Sequence, residues 1–231
     1  MKKTGDRTIA ALVVLVSVLL LLQSLVFLLT VTVHSQNPTT GHFTGASGTG
    51  VVGFTFIGTS TCSMPLVNGW NLISLCSNVS DNSIASLLNG VDIRFVMRWN
   101  QSTQRFAVYS PSAASPDFST MEFNQSYFVY LNSASSTVSL RGDNFTDTQA
   151  GLGTGWNAPG YPYGFSTNIT RYFNETKHRY LLKWNATGQK FLIYSPRAAE
   201  PAFTIINGSE GQFVFATQSD IIQYNRSQLE S

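Results

Sequence analysis

Two stretches decide how this chain folds: "RWNQSTQRFAVYSP", residues 98–111, and "KWNATGQKFLIYSP", residues 183–196. Seven of the fourteen aligned positions are identical and two more exchange only Arg and Lys, at a constant offset of 85 residues. Each copy carries an Asn-x-Ser/Thr triplet, at Asn100 and Asn185, just where the apolar alternation stops. "IRFVMRWN" (93–100) and "RFAVYS" (105–110) alternate and are rich in β-formers, and "QSTQ" joins them, with "ATGQ" in the second copy. Period-two alternation on both sides of a short polar segment predicts a β-hairpin.

Outward from the hairpins the match continues. Trp70 aligns with Trp156 at an offset of 86; the trio Ile84, Leu87 and Leu88 aligns with Ile169, Tyr172 and Phe173. Spacing of i, i+3, i+4 predicts one apolar stripe of a short helix, capped by Asp81 or Ser83 and stopped at Asn89-Gly90 in the first copy. Phe106, Tyr109, Pro111, Pro116, Phe118 and Phe128-Val129 meet Phe191, Tyr194, Pro196, Pro201, Phe203 and Phe213-Val214. Matched apolar positions of this kind mark one module written twice. "VVGFTFIG" (51–58) reads as a strand. "SYFVYLN" and "STVSLRG" suggest a second hairpin, with "GQFVFAT" and "SDIIQYN" as its counterpart. The expected fold is mainly β (α+β): two tandem small β-modules, 51–147 and 148–231, each with one short helix, joined within "DNFTDTQAGLGTG" (143–155).

At "GWNLIS", "RWN…QRF…YSP" and "YFVY" the chain resembles a repeat of archaeal and bacterial cell-surface proteins, over about residues 65–141 and 152–224. The resemblance implies structural or recognition modules and brings no catalytic residues with it. The second copy departs after its Trp, where "GWNAPGYPYGF" replaces "GWNLISLCSNV", so its opening strand is expected to be shorter or rerouted.

The N-terminal end gives a membrane address. Lys2, Lys3 and Arg7 precede an uncharged run of 26 residues, Thr8–Val33. As a helix it is about 39 Å long, enough to cross a ~30 Å hydrocarbon core. The expected organisation is a cytoplasmic basic segment (1–7), a transmembrane helix (8–33) and a Ser/Thr/Gly-rich stalk (34–50), with the N-terminus inside and the remainder outside. Cleavage near Ser35 and an archaeal pilin leader are the alternatives; "TGDRTIAALVV" departs from the leader pattern in its Asp-Arg pair. Beyond the run, 11 basic and 11 acidic residues balance, which leaves no positive field for nucleic acid.

Candidate sites are few. Cys62 and Cys76 are the only cysteines, and an external compartment predicts that they form a disulfide. Nine of the 16 asparagines open a glycosylation triplet: Asn78, Asn100, Asn124, Asn144, Asn168, Asn174, Asn185, Asn207 and Asn225. That excess predicts a glycosylated surface. The four tryptophans (70, 99, 156, 184) are either sugar platforms or core residues, and their matched positions favour the core. "GYPYGF" lacks a counterpart in the first copy, so Tyr161, Tyr163 and Phe165 are a candidate contact loop, with a core-covering loop as the other reading. "RGD" at 141–143 reads as a turn after a strand. His34, His42 and His178 are isolated, and neither a metal set nor a nucleophile, phosphate or metalloprotease motif is present. The expectation is a membrane-anchored, glycosylated surface protein with a structural or adhesive role, no catalysis and no cofactor. Its partners are the membrane and envelope proteins or polysaccharide. A carbohydrate-binding module and a pilin-like filament subunit are the alternatives.

Overall fold

The computed structural model of the chain describes residues 56–230, with side chains from Thr61 onward. The basic segment, the expected membrane helix, the stalk and the start of the 51–58 strand lie outside the described residues. Among those described, no helix is long and apolar enough to cross a membrane.

The fold is mainly β. In the first copy, β2 (Gly69–Ser74), β3 (Ile93–Asn100), β4 (Arg105–Tyr109) and β5 (Ser126–Leu131) form an antiparallel sheet in the order β2-β5-β3-β4. In the second, β8 (Gly155–Asn157), β10 (His178–Asn185), β11 (Lys190–Tyr194) and β13 (Gln212–Ala216) form the sheet β11-β10-β13-β8. Strand for strand the two orders correspond, and the registers do too. Trp99 faces Phe106 as Trp184 faces Phe191. A register shift falls between Ile93 and Phe95 in one sheet and between His178 and Tyr180 in the other. The predicted hairpin is therefore present in both copies. β8 is half the length of β2, because Pro159 and Pro162 follow it and proline cannot donate to a ladder.

The second predicted hairpin is absent from both copies. β5 does not pair with the strand that follows it. It lies between β2 and β3 as the central strand, and five of its six residues are buried, as a strand covered on both faces requires. Its successor β6 (Ser136–Phe145) pairs instead with β1 (Phe56–Leu66), and β14 (Asp220–Asn225) likewise pairs with β7 (Asp147–Leu152). Alternating burial along β6, β7 and β14 fits strands with one wet face. The expected junction, 143–155, is thus strand along most of its length, and only Thr146 separates β6 from β7.

The helix of the first copy spans Ile84–Leu87, with Ser83 Oγ accepting from Ser86 N and Asp81 Oδ1 accepting from Ser83 N. Ile84 and Leu87 are its buried stripe, and Gly90 follows at φ +76°. In the second copy the same place holds a single 3-10 turn, Ile169–Arg171, capped by Asn168. A two-stranded pairing of β9 (Thr167–Asn168) with β12 (Ile205–Ile206) precedes it in space; the first copy has only the bridge Ser83–Thr120 there.

Each copy has its own apolar core. One gathers Met64, Leu75, Ile84, Val96, Met121 and Leu131; the other gathers Tyr161, Tyr163, Ile169, Leu181, Ile206 and Tyr224. Both copies belong to one compact unit.

Candidate functional site

The residues that the two copies share meet at the seam between them, and they meet reciprocally. Trp99 Nε1 donates to the carbonyl of Trp156 at 2.8 Å, and Trp184 Nε1 donates to the carbonyl of Trp70 at 2.8 Å. The Gln104 side chain takes the Trp156 N–H on Oε1 and donates from Nε2 to the Trp156 carbonyl (3.1 and 2.9 Å). Gln189 does the same to Trp70, both at 2.9 Å. A glutamine amide thus completes the edge of each opening strand as another strand would, which blunts an otherwise open sheet edge. Main-chain pairing is reciprocal as well: Ser126 N donates to Ala158 O and Gly211 N donates to Leu72 O.

Local conformation explains the motif. Gly69 and Gly155 sit at φ +89° and +99°, and a Cβ on either would press on the opposing glutamine side chain. Glycine is needed there for both reasons. Asn71 clamps the same turn, accepting from Val67 N and donating to Val67 O and Gly69 O; Asn157 accepts from Gly153 N and donates to Gly153 O and Gly155 O. Gln104 and Gln189 hold the left-handed conformation at φ 52° and 46°, a cost of roughly 1–2 kcal/mol offset by their bonds across the seam. Behind these contacts Phe128 lies edge-on to Trp70, Trp184 and Phe191, with Phe213 tilted against it and edge-on to Trp99. The four tryptophans are half-buried here. Trp99 and Trp184 pack across the seam, on Phe213 and Phe128 of the other copy.

The other sequence-derived sites are scattered. Cys62 and Cys76 form a disulfide with Cα atoms 6.3 Å apart, tying β1 to the segment after β2. None of the nine triplet asparagines is buried, whereas Asn71 and Asn157, both outside triplets, are. Asn100 and Asn185 cap their hairpin loops through Oδ1, accepting from Thr103 N and Gly188 N. The contact-loop reading of Tyr161, Tyr163 and Phe165 is corrected. Tyr161 and Tyr163 are 0 % and 1 % exposed in the second core, and Phe165 is half-buried and stacked on Tyr163. Two prolines and a run of aromatics here build a core lining, not a surface. Arg141, Gly142 and Asp143 are also not a turn: they lie within β6, opposite Thr61, Ser60 and Thr59.

Three polar groupings in the second copy have no counterpart in the first. In the core, Gln212 accepts from the Tyr172 hydroxyl and donates to that of Tyr224 (both 2.8 Å), while Tyr163 donates to the carbonyls of Thr146 and Tyr224. Burial raises the pKa of all four tyrosines of this group, Tyr161 included, so they stay protonated. At the start of β10, His178 is buried and its Nδ1 accepts from Asn174 N. Its Nε2 is 3.1 Å from Asp220 Oδ2 but out of line for a hydrogen bond. Burial depresses His178, and the Asp220 charge only partly opposes this. Asp220 is lowered overall: burial pushes it up, but Lys177 at 2.7 Å and the Ile221 N–H outweigh that.

The third grouping lies beside β10. Lys183 Nζ is 3.1 Å from Glu210 Oε2 and 3.4 Å from Oε1, and Asn207 Nδ2 donates to the same Oε1 at 2.9 Å. Asn207 Oδ1 accepts from Ser166 Oγ at 3.0 Å. Sequence reasoning placed Asn207 only among the triplets and passed over Lys183, Glu210 and Ser166. The signal was in the departures between copies, where Lys183 replaces Arg98 and Glu210 replaces Gln125. Among the described residues no three His, Cys, Asp or Glu side chains gather where they could hold a metal ion. No family model, curated protein or solved structure matches this chain.

Proposed function

We propose that this chain is a membrane-anchored, glycosylated surface protein whose paired β-modules form a scaffold in the envelope or in contact with neighbouring cells. The observation that carries the reading is the use of the shared residues. The Gly-Trp-Asn turns, the hairpin tryptophans and the two glutamines are spent on joining one copy to the other. A duplicated active site would leave matched acid, base or nucleophile groups facing a cleft. Surface placement of every triplet asparagine supports the glycan part, and the basic-then-apolar N-terminal sequence supports the anchor, with the C-terminal part outside. The buried Tyr161 and Tyr163 remove the residues on which a polysaccharide-contact loop rested.

The test is mass spectrometry of the protein taken from its native membrane, reading the N-terminus and the glycopeptides together. An intact N-terminal span with glycans on several triplets is expected. A chain cut just before the apolar run would turn the reading to a filament subunit, and a set of unmodified triplets would remove the glycan part. Assays on ester, glycoside, peptide and phosphate substrates are expected to show no turnover; a robust activity abolished by one ectodomain substitution would overturn the scaffold reading.

A further inference from the structure

The geometry points to a self-catalysed amide cross-link between Lys183 and Asn207 in the second copy, with Glu210 as the proton carrier. This goes beyond the scaffold reading and does not depend on it. Three roles are filled by side chains gathered around one carboxylate, Glu210. The nucleophile is Lys183 Nζ, on a side chain only 13 % exposed, lying 5.0 Å from the centre of the Phe203 ring. The electrophile is Asn207 Cγ. Its oxygen accepts the Ser166 hydroxyl, a donor placed where negative charge develops during addition to a carbonyl. The acid–base group is Glu210, whose Oε1 contacts both Lys183 Nζ and Asn207 Nδ2. Sharing one oxygen puts nucleophile and leaving group on the same proton carrier, and Lys183 Nζ also donates to the Ile205 carbonyl at 3.1 Å, two residues before Asn207, which keeps it beside that loop. Asn207 is also held from behind, its backbone N–H donating to Glu210 Oε2, so the carboxylate and the amide keep their relative position.

The step balances within these groups. Glu210 takes a proton from the Lys183 ammonium, and the freed lone pair attacks Asn207 Cγ. The Nζ–Cγ bond forms while the carbonyl electron pair moves to Oδ1 beside Ser166. On collapse the Cγ–Nδ2 bond breaks. Nζ gives up two protons in turn through Glu210, and both leave on Nδ2 as ammonium. No oxidant or metal takes part, and the product is one amide joining β10 to the loop after β12. In the first copy the aligned residues are Arg98, Glu122 and Gln125. Arg98 keeps the cationic contact, 4.7 Å above Phe118, but a guanidinium is not a nucleophile at neutral pH. The first copy instead carries the disulfide, so each copy would have one covalent tie of a different kind.

The experiment is the intact mass of the reduced full chain, made in a host that adds no N-glycans, followed by peptide mapping. The expected result is a chain lighter by one ammonia, with a branched peptide joining Lys183 to Asn207 and no tryptic cut after Lys183. Lys183→Arg, which preserves the charge over Phe203, and Glu210→Ala are each expected to restore the full mass while the near-ultraviolet spectrum of the tryptophans stays native. Full mass in the wild-type chain overturns the proposal. So does a loss of ammonia that persists in Lys183→Arg, because that product would be an imide closed on Gly208. Complete glycan occupancy of Asn207 in the native protein also overturns it.

Discussion

Under one shared outline the two copies have unlike interiors. Leu75, Leu87 and Leu140 of the first stand where the second has Tyr161, Tyr172 and Tyr224, and Tyr127 stands where the second has Gln212. The first interior is apolar and covalently tied at Cys62–Cys76. The second is a hydrogen-bonded tyrosine group with no disulfide. The interiors differ, while the seam contacts are reciprocal. The difference teaches that the seam is the constrained part of this fold. A core need only be filled and satisfied, but a contact that each copy makes with the other must be written on both.

The strongest way to break the comparison is to attack what the copies have in common. Phe128→Ala empties the middle of the seam, where the ring touches five other aromatics. It is expected to cost about 3–5 kcal/mol, read by urea unfolding, with both copies melting together because the ring packs against aromatics of both. Two separate transitions with only one shifted would show that the copies are stable apart. Next comes the disulfide. Cys62→Ala with Cys76→Ala is expected to cost about 3 kcal/mol for a loop of this length, and a loss below about 1 kcal/mol would mean that the apolar first core holds β1 without it.

The polar interior is probed by Gln212→Leu, which strands the Tyr172 and Tyr224 hydroxyls together. A loss of roughly 2–4 kcal/mol is expected. Tyr161→Phe is the control, since that hydroxyl is buried without a partner; it is expected to leave stability unchanged or slightly raised. An equal loss from both would show that volume, not hydrogen bonding, decides this core.

The smallest effect is a pH dependence carried by His178 of the second copy. His178 is depressed in the folded state below its ordinary 6.5, so the unfolded chain binds a proton that the folded chain refuses. Stability is then full above about pH 6.5 and falls as the pH drops through that value toward the lower folded one. Asp220, also lowered when folded, loses its contribution only below its ordinary 3.8, a separate window. His178→Phe is expected to flatten the upper window and leave the lower one; a wild-type curve already flat between pH 7 and 5 would remove His178 from the account.

Legibility followed the same division. The Trp-Asn hairpins, the helix of the first copy, the short β8 and the cysteine pair were readable, because each rests on local patterning or on elimination. Pairing partners were not. "SYFVYL" and "STVSLRG" are neighbours in sequence with ideal alternation, yet β5 goes to the centre of one sheet and β6 leaves for β1. Nothing local distinguishes a hairpin from two strands that part. That Trp99 and Trp184 bind the other copy's backbone could not be read from one copy alone. Tyr161 and Tyr163 were left between a contact loop and a core-covering loop because proline and glycine usually mark an exposed turn; Leu75, aligned with Tyr161 in the first copy, was the signal for the core. Lys183, Glu210 and Asn207 are separated by up to 27 residues, and only the packing of β10 against the loop after β12 brings them together.

One consequence concerns force. Phe56 at the start of β1 faces Phe145, Asp147 faces Asn225, and Arg226 N donates to the Thr146 carbonyl, so the first strand, the midpoint and the last strand converge at a single corner. A pull on the chain that precedes Phe56 therefore opens β1 from β6 like a zipper, one rung at a time, without loading the seam. Cys62 stands on that zipper, six positions in, and its bond to Cys76 is where the tear would stop. In the second copy the corresponding strand, β7, is not where the chain comes in, and there the stop is missing.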